Sequence, residues 1–397
     1  MPTLDRLLAI PLQQLELVLE ESWHALRGRS RYPGVPPLEP SAGLIAEALL
    51  DRSFALGTAW IAGSPDRAAM RRMRRDLALA RELYESRGWL RDPAAYHREP
   101  EPPTATRISE RVTLEGRRAR RYRHVRFASA YEPHEGEPGR ERWLAHPRNG
   151  THHAYLVERD PRAPWLVCVH GFGMGGALVN LSGFGAAHLH ERIGLNLAFP
   201  VLPLHGPRAA SRWSGVEVLR PDYLQMIHLF ANATHDVRRL VRWLRARGAS
   251  QVGLYGISLG AYVSALVAGL EDDLACVVAG IPAVDFSGLA RDNEHWLTRG
   301  DHAHTPRDWE LLREVVRPVS PLALSPRVTR DRLFIYAGIA DRVVRPDQPS
   351  ALWRHWDEPE IHWFSGGHVL GTRNPSVAPF LEQALQRAEM APRLRDG

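Results

Sequence analysis

Apolar residues along this chain recur with two different periods, and the change falls near residue 105. Leu4, Leu7, Leu8, Leu12, Leu15 and Val18 follow helical spacing, and further helices are predicted over residues 41–56 and 65–88. The third sets Met70, Met73, Leu77, Leu79 and Leu83 on one side and Arg71, Arg72, Arg74 and Arg75 largely on the other. Residues 99–104 (EPEPPT) read as a proline-rich linker. Beyond it, short apolar runs alternate with helical stretches. Strands are predicted at 122–130 and 151–158, as an antiparallel opening, then at 165–169, 195–202, 252–255, 274–281, 332–337 and 360–364. A helix-like segment running through residue 192 follows the 165–169 strand, and helices are predicted over 222–247, 259–270 and 377–390. Strands returning between helices imply an α/β fold, a mostly parallel twisted sheet with helices on both faces. The expected organisation is an N-terminal helical extension (1–105) followed by one α/β domain (106–397). Residues 285–324 exceed what a simple crossover needs, so a small cap-like insert is expected there, with Trp296 and Trp309 as candidates to line a pocket.

With 44% hydrophobic residues, the 397-residue chain can bury one large core and a smaller appended unit. No run approaches the ~20 apolar residues of a membrane span, and residues 1–19 lack the pattern of a secretory signal. Glu16, Glu20 and Glu21 weigh against the first helix lying on a membrane surface. Cys168 and Cys276 sit in apolar, strand-like runs and read as small buried hydrophobes, so a cytoplasmic location is expected. The sequence holds no lysine: all 51 basic residues are arginine, and the net charge is only +6. The densest cluster, residues 117–126 (RRARRYRHVR), is expected to be a solvated sheet edge. No recognition helix, RNA-binding or zinc-finger pattern accompanies it, so no nucleic-acid partner is expected. The N-terminal helices are a candidate surface for self-association.

The chemistry centres on Gly256-Ile257-Ser258-Leu259-Gly260, between a predicted strand and a predicted helix. A sharp strand-to-helix turn lifts a serine hydroxyl above the sheet edge, and glycines on either side are needed because side chains would clash there. Ala261, Ser264 and Ala265 allow the helix to approach the sheet closely. A second glycine-rich stretch, His170-Gly171-Phe172-Gly173-Met174-Gly175-Gly176, follows the strand WLVCV. Such a loop can bring a backbone N–H to a developing oxyanion. The amides of Phe172 and Leu259 are the expected donors, with Gly173 as a substitute for the first. The glycines match neither a dinucleotide fingerprint nor a phosphate loop, and His170 is read as shaping the turn.

The remaining groups come late in the chain. Asp341, just past the strand RLFIYAG, is the expected orienting acid, with Asp285 as its alternative. His368, in Phe364-Ser365-Gly366-Gly367-His368, is the expected base, because His362 sits within its strand. The run Asp301-His302-Ala303-His304 lacks a third ligand at useful spacing and reads as a polar loop. Arg208, in Pro203-Leu204-His205-Gly206-Pro207-Arg208, is either near the site or part of a turn.

Taken together, residues 120–390 resemble the α/β-hydrolase superfamily, with HGFGMGG, GISLG, Asp341 and His368 in family order. The N-terminal extension and the PLHGPR loop resemble acyl-esterases related to dienelactone hydrolases and the prolyl-oligopeptidase group. The resemblance implies acyl transfer on Ser258 with a small-molecule acyl substrate, and neither metal nor organic cofactor. A peptidase, a thioesterase or acyltransferase, and a non-catalytic protein that kept the fold remain alternatives. Against a prolyl-oligopeptidase-type peptidase stands the N-terminal region, too short and too helical for a propeller.

Overall fold

The computed structural model describes residues 32–39, 41–62, 66–115, 118–220, 222–292 and 304–391. The helix expected over residues 4–18, and Trp296, Asp301 and His302, lie outside them. Among the described residues nine strands form one sheet in the order β1-β2-β3-β5-β4-β6-β7-β8-β9. β1 (Arg107–Glu115), β2 (Arg118–Ala128) and β3 (Thr151–Val157) form an antiparallel opening that joins antiparallel to β5. β4 (Trp165–Val169), β5 (Asn196–Pro200), β6 (Val252–Ile257), β7 (Val277–Gly280), β8 (Leu333–Gly338) and β9 (Glu360–Phe364) run parallel.

Every residue of β4 to β8 is buried, as strands covered on both faces require. Alternate side chains feed two cores: Val167 and Val169 join Leu254 and Leu240 on one face, while Leu166 and Cys168 join Phe199, Phe334 and Leu385 on the other. Both cysteines are free and buried. The longer described helices are α1 (Ala42–Ala62), α2 (Arg67–Ser86), α3 (Tyr223–Ala246), α4 (Leu259–Ala268), α5 (Pro306–Val315), α6 (Asp347–His355) and α7 (Val377–Arg387), of which α3, α4, α6 and α7 pack on the strands. No described helix is long and apolar enough to cross a membrane.

Three features differ from the sequence reading. β1 was not anticipated, because Ile108, Val112 and Leu114 stay exposed and leave the strand without a buried face to read. The arginine cluster is consequently not at the edge: it lies on β2, between β1 and β3. Two of its charges are spent on neighbours, Arg120 on Glu115 and Glu191, and Arg123 on Glu158. Leu79 is exposed, away from the buried Met70, Met73 and Leu77. Two residues turn a helix by about 200°, which carries Leu79 to the far side from Leu77.

The helices before β1 pack on later residues through ion pairs and hydrogen bonds. From α2, Arg74 reaches Asp308 at 3.0 Å and Arg81 reaches Glu314 at 2.6 Å, both on α5. Arg208 turns inward and is fully buried, donating to Asp236 at 2.8 Å and to the carbonyls of Val201 and Asn149. Burial alone would raise the Asp236 carboxyl, yet the Arg208 charge holds it well below its ordinary value. Arg208 therefore braces the loop after β5 and does not line the cavity beside Ser258.

Candidate active site

Ser258 sits between β6 and α4 with φ +55° and ψ −114°, a backbone conformation that side-chain-bearing residues seldom adopt. Its amide donates to the Gly280 carbonyl of β7 at 2.9 Å. The flanking glycines make the turn feasible. A Cβ at Gly256 would collide with the Gly260 carbonyl, and one at Gly260 with the Val169 carbonyl of β4. The strained serine is thus held by a strand, a helix and two neighbouring strands.

The three residues expected to work together do meet. The Ser258 hydroxyl donates to His368 Nε2 at 3.0 Å, and His368 Nδ1–H donates to Asp341 Oδ2 at 2.6 Å. The other Asp341 oxygen accepts the amides of Val343 and Val344 at 2.9 and 2.7 Å, which fixes the carboxylate plane. Burial disfavours a charged imidazole at His368, but the Asp341 charge, its hydrogen bond and the Asp51 charge outweigh it. The pKa of His368 therefore lies above the ordinary imidazole value.

The alternatives are engaged elsewhere. Asp285 caps the short helix Phe286–Asp292, accepting from the Ser287 hydroxyl and the Gly288 amide. His362 bonds Ser376 at 2.8 Å and stacks on Phe380. His170 is fully buried: its Nδ1–H donates to the Gly171 carbonyl, its Nε2 accepts the Leu202 amide, and burial pushes its pKa down to about 3. A neutral histidine in that position ties the glycine loop to the strand-β5 loop.

The glycine loop lies against the serine, since a Cβ at Gly171 would come within 3.6 Å of Ser258 Cβ. Phe172 follows, edge-on to Phe54 and His205. Leu259 opens α4, so its amide has no carbonyl partner within that helix. Ser258, Phe172, Leu259 and His368 all border one cavity of about 420 Å³. Its wall is mainly aliphatic and aromatic, with Met226, Phe230 and Tyr262 from the core and Phe286 and Leu289 from the insert. Trp309 is not in that wall; its ring packs on His304, at 4.3 Å between centroids, and on Tyr223. Among the described residues no cluster of three metal-ligating side chains occurs.

One contribution escapes sequence reading. Phe54, Ala55 and Thr58 of α1 line the cavity, and the buried Asp51 of the same helix accepts the amides of Arg342, His368 and Val369 at 3.0, 2.7 and 2.9 Å. Glu47, one turn earlier, accepts the Gly367 amide at 2.8 Å. The available signal was an acidic i, i+4 pair within the otherwise apolar run AGLIAEALLDRSF.

The model of the prolyl oligopeptidase family matches residues 228–368, a stretch that holds Ser258, Asp341 and His368. Two uncharacterized proteins of Mycobacterium tuberculosis, from strains CDC 1551 / Oshkosh and ATCC 25618 / H37Rv, are each 36% identical over 387 residues. That span is 96% of this chain and 92% of each relative. Among solved structures, acetyl xylan esterase 1 from Thermoanaerobacterium sp. JW/SL YS485 is similar at 15% identity and a TM-score of 0.48, over 76% of this chain and 92% of that one. The chain belongs to the same family as the two mycobacterial proteins and has the α/β-hydrolase fold, with residues 228–368 similar to the prolyl oligopeptidase family.

Proposed function

We propose that the protein hydrolyses a carboxylic ester of an apolar acyl group through an acyl-enzyme on Ser258. The observation that carries this reading is the continuous chain from the Ser258 hydroxyl to His368 at 3.0 Å and on to Asp341 at 2.6 Å. In this mechanism His368 Nε2 takes the hydroxyl proton as Ser258 Oγ attacks the carbonyl carbon. Asp341 holds the ring in the tautomer that presents Nε2 and stabilises the imidazolium. The amides of Phe172 and Leu259 receive the developing oxyanion. His368 then returns the proton to the leaving alcohol oxygen, and water, activated by the same ring, releases the acid.

The cavity favours an ester over a peptide. Its wall is mostly apolar, and its described lining contains no carboxylate to receive a free amino terminus. A volume of about 420 Å³ fits an acyl group considerably larger than acetyl. Labelling with a fluorophosphonate probe tests the reading, with wild type beside Ser258→Ala and p-nitrophenyl esters of graded acyl length beside aminoacyl p-nitroanilides. The expected result is labelling and ester turnover only in wild type, with longer acyl chains preferred to acetyl. Folded wild type that does not label, or that cleaves anilides in preference to esters, rejects it.

A further inference from the structure

We propose that Asp51 is a positioning residue of the active site: its carboxylate, carried on α1, ties the Asp341 loop to the His368 loop and so fixes the distance between acid and base. This rests on the serine-hydrolase reading of Ser258, Asp341 and His368. One Asp51 oxygen accepts both the Arg342 and His368 amides, and the other accepts the Val369 amide. The three donors belong to two loops that follow different strands. Arg342 is the residue after the acid, and His368 is the base itself. A carboxylate can accept three such bonds in one place, whereas an amide offers one oxygen and would turn a donor toward one of these N–H groups.

The cost of this arrangement argues for function. Asp51 is 1% exposed, so the carboxylate has left water almost completely. Burial, and then the charge of Asp341, push its carboxyl above the ordinary range, against the pull of the three amides. Glu47 and Asp51 also place two acids on one helical face, which disfavours an isolated helix. Both losses are recovered only by the loops they hold. An apolar residue at position 51 would fill space yet leave those three amides unpaired.

Charge adds a second consequence. The elements that meet at His368 carry Asp341, Arg342 and Arg345 after β8 and Glu47, Asp51 and Arg52 on α1, and Arg220 and His304 border the same cavity. Of these, Asp341 and Asp51 favour the imidazolium. Removing the Asp51 charge therefore lowers the pH at which His368 becomes a free base, while loosening the geometry lowers turnover.

The test compares wild type, Asp51→Asn and Leu49→Ala, the last an exposed position on the same helix. Each is assayed for ester kcat and KM across pH, for fluorophosphonate labelling rate and for melting temperature. Asp51→Asn is expected to lose about 10- to 100-fold in kcat with little change in KM, the scale of a small misplacement of reacting groups. Its acidic limb should move to lower pH, with Leu49→Ala unchanged in all respects. A folded Asp51→Asn with wild-type kcat and an unmoved limb overturns the inference. If Asp51→Asn does not fold, Asp51→Glu, which keeps the charge but extends the side chain by one methylene, replaces it. That variant is expected to keep the limb and lose kcat, and unchanged kcat overturns the inference. Wild type that fails to label rejects the serine-hydrolase reading instead, so the two failures are distinguishable.

Discussion

The nucleophile side of the site and its acid–base side are built in contrasting ways. Residues 252–268 form β6, the turn and α4 in one stretch, and the position of Ser258 follows from that local geometry and from close contact with β4. Asp341 and His368 come from two separate loops, and α1 spans both with Asp51, 291 and 317 residues away from the amides of Arg342 and His368. Strain is stored at the serine and is sustained by packing. Order at the acid and base is imposed by buried charge from a distant helix. The first side should therefore fail by losing its fold, and the second by losing catalysis while still folded.

Substitutions can break this comparison. Ser258→Ala removes the nucleophile without touching either scaffold, and a loss of about 10⁴-fold or more in kcat is expected from initial-rate assays. Asp341→Asn leaves the loops in place but favours the wrong tautomer of His368; about 10³- to 10⁴-fold is expected, with a melting curve unchanged at alkaline pH, where His368 is neutral in both proteins. Gly260→Ala should do the reverse, destabilising the fold by about 3 kcal/mol in urea titrations because its Cβ meets the Val169 carbonyl. If Gly260→Ala melts like wild type, the nucleophile side is not held as described.

Smaller effects sharpen the contrast. Glu47→Gln keeps an oxygen for the Gly367 amide, so only a few-fold loss in kcat is expected, well below that of Asp51→Asn. The pH profile reports on the same side. His368 must be neutral to act as base and its pKa is raised, so the acidic limb of kcat/KM should lie above the ordinary value of about 6.5. The stability linkage has the opposite sense: the charged His368–Asp341 pair stabilises the fold fully below the ordinary imidazole pKa, and that contribution is lost as pH rises through the raised one. A limb at or below 6.5 would place less negative charge around His368 than Asp341 and Asp51 together supply.

Much of the molecule was legible in the chain. β4 and β9 are bounded as the pattern predicted, because short apolar runs between turn signals have few alternatives. Ser258 was legible because an elbow needs glycines at fixed offsets, and Asp341 and His368 because each follows a strand whose end lies at the same sheet edge. β1 was not, since an exposed edge strand buries neither face, and Arg208 was undecided because its partner, Asp236, lies a helix away.

What the sequence determined by itself was local: the periods of strand and helix, the glycine-flanked turn and the order of the chemical residues. These follow from backbone sterics and from side-chain periodicity over a few residues. Only the tertiary structure decided that Asp51 and Glu47 of α1 spend their charges on the loops of Asp341 and His368, and that Phe54 lines the cavity beside Ser258. An acidic side chain on a helix looks the same in sequence whether it meets water or three buried amides. The difference lies in what packs against it, and that is set by chain folding across some 300 residues.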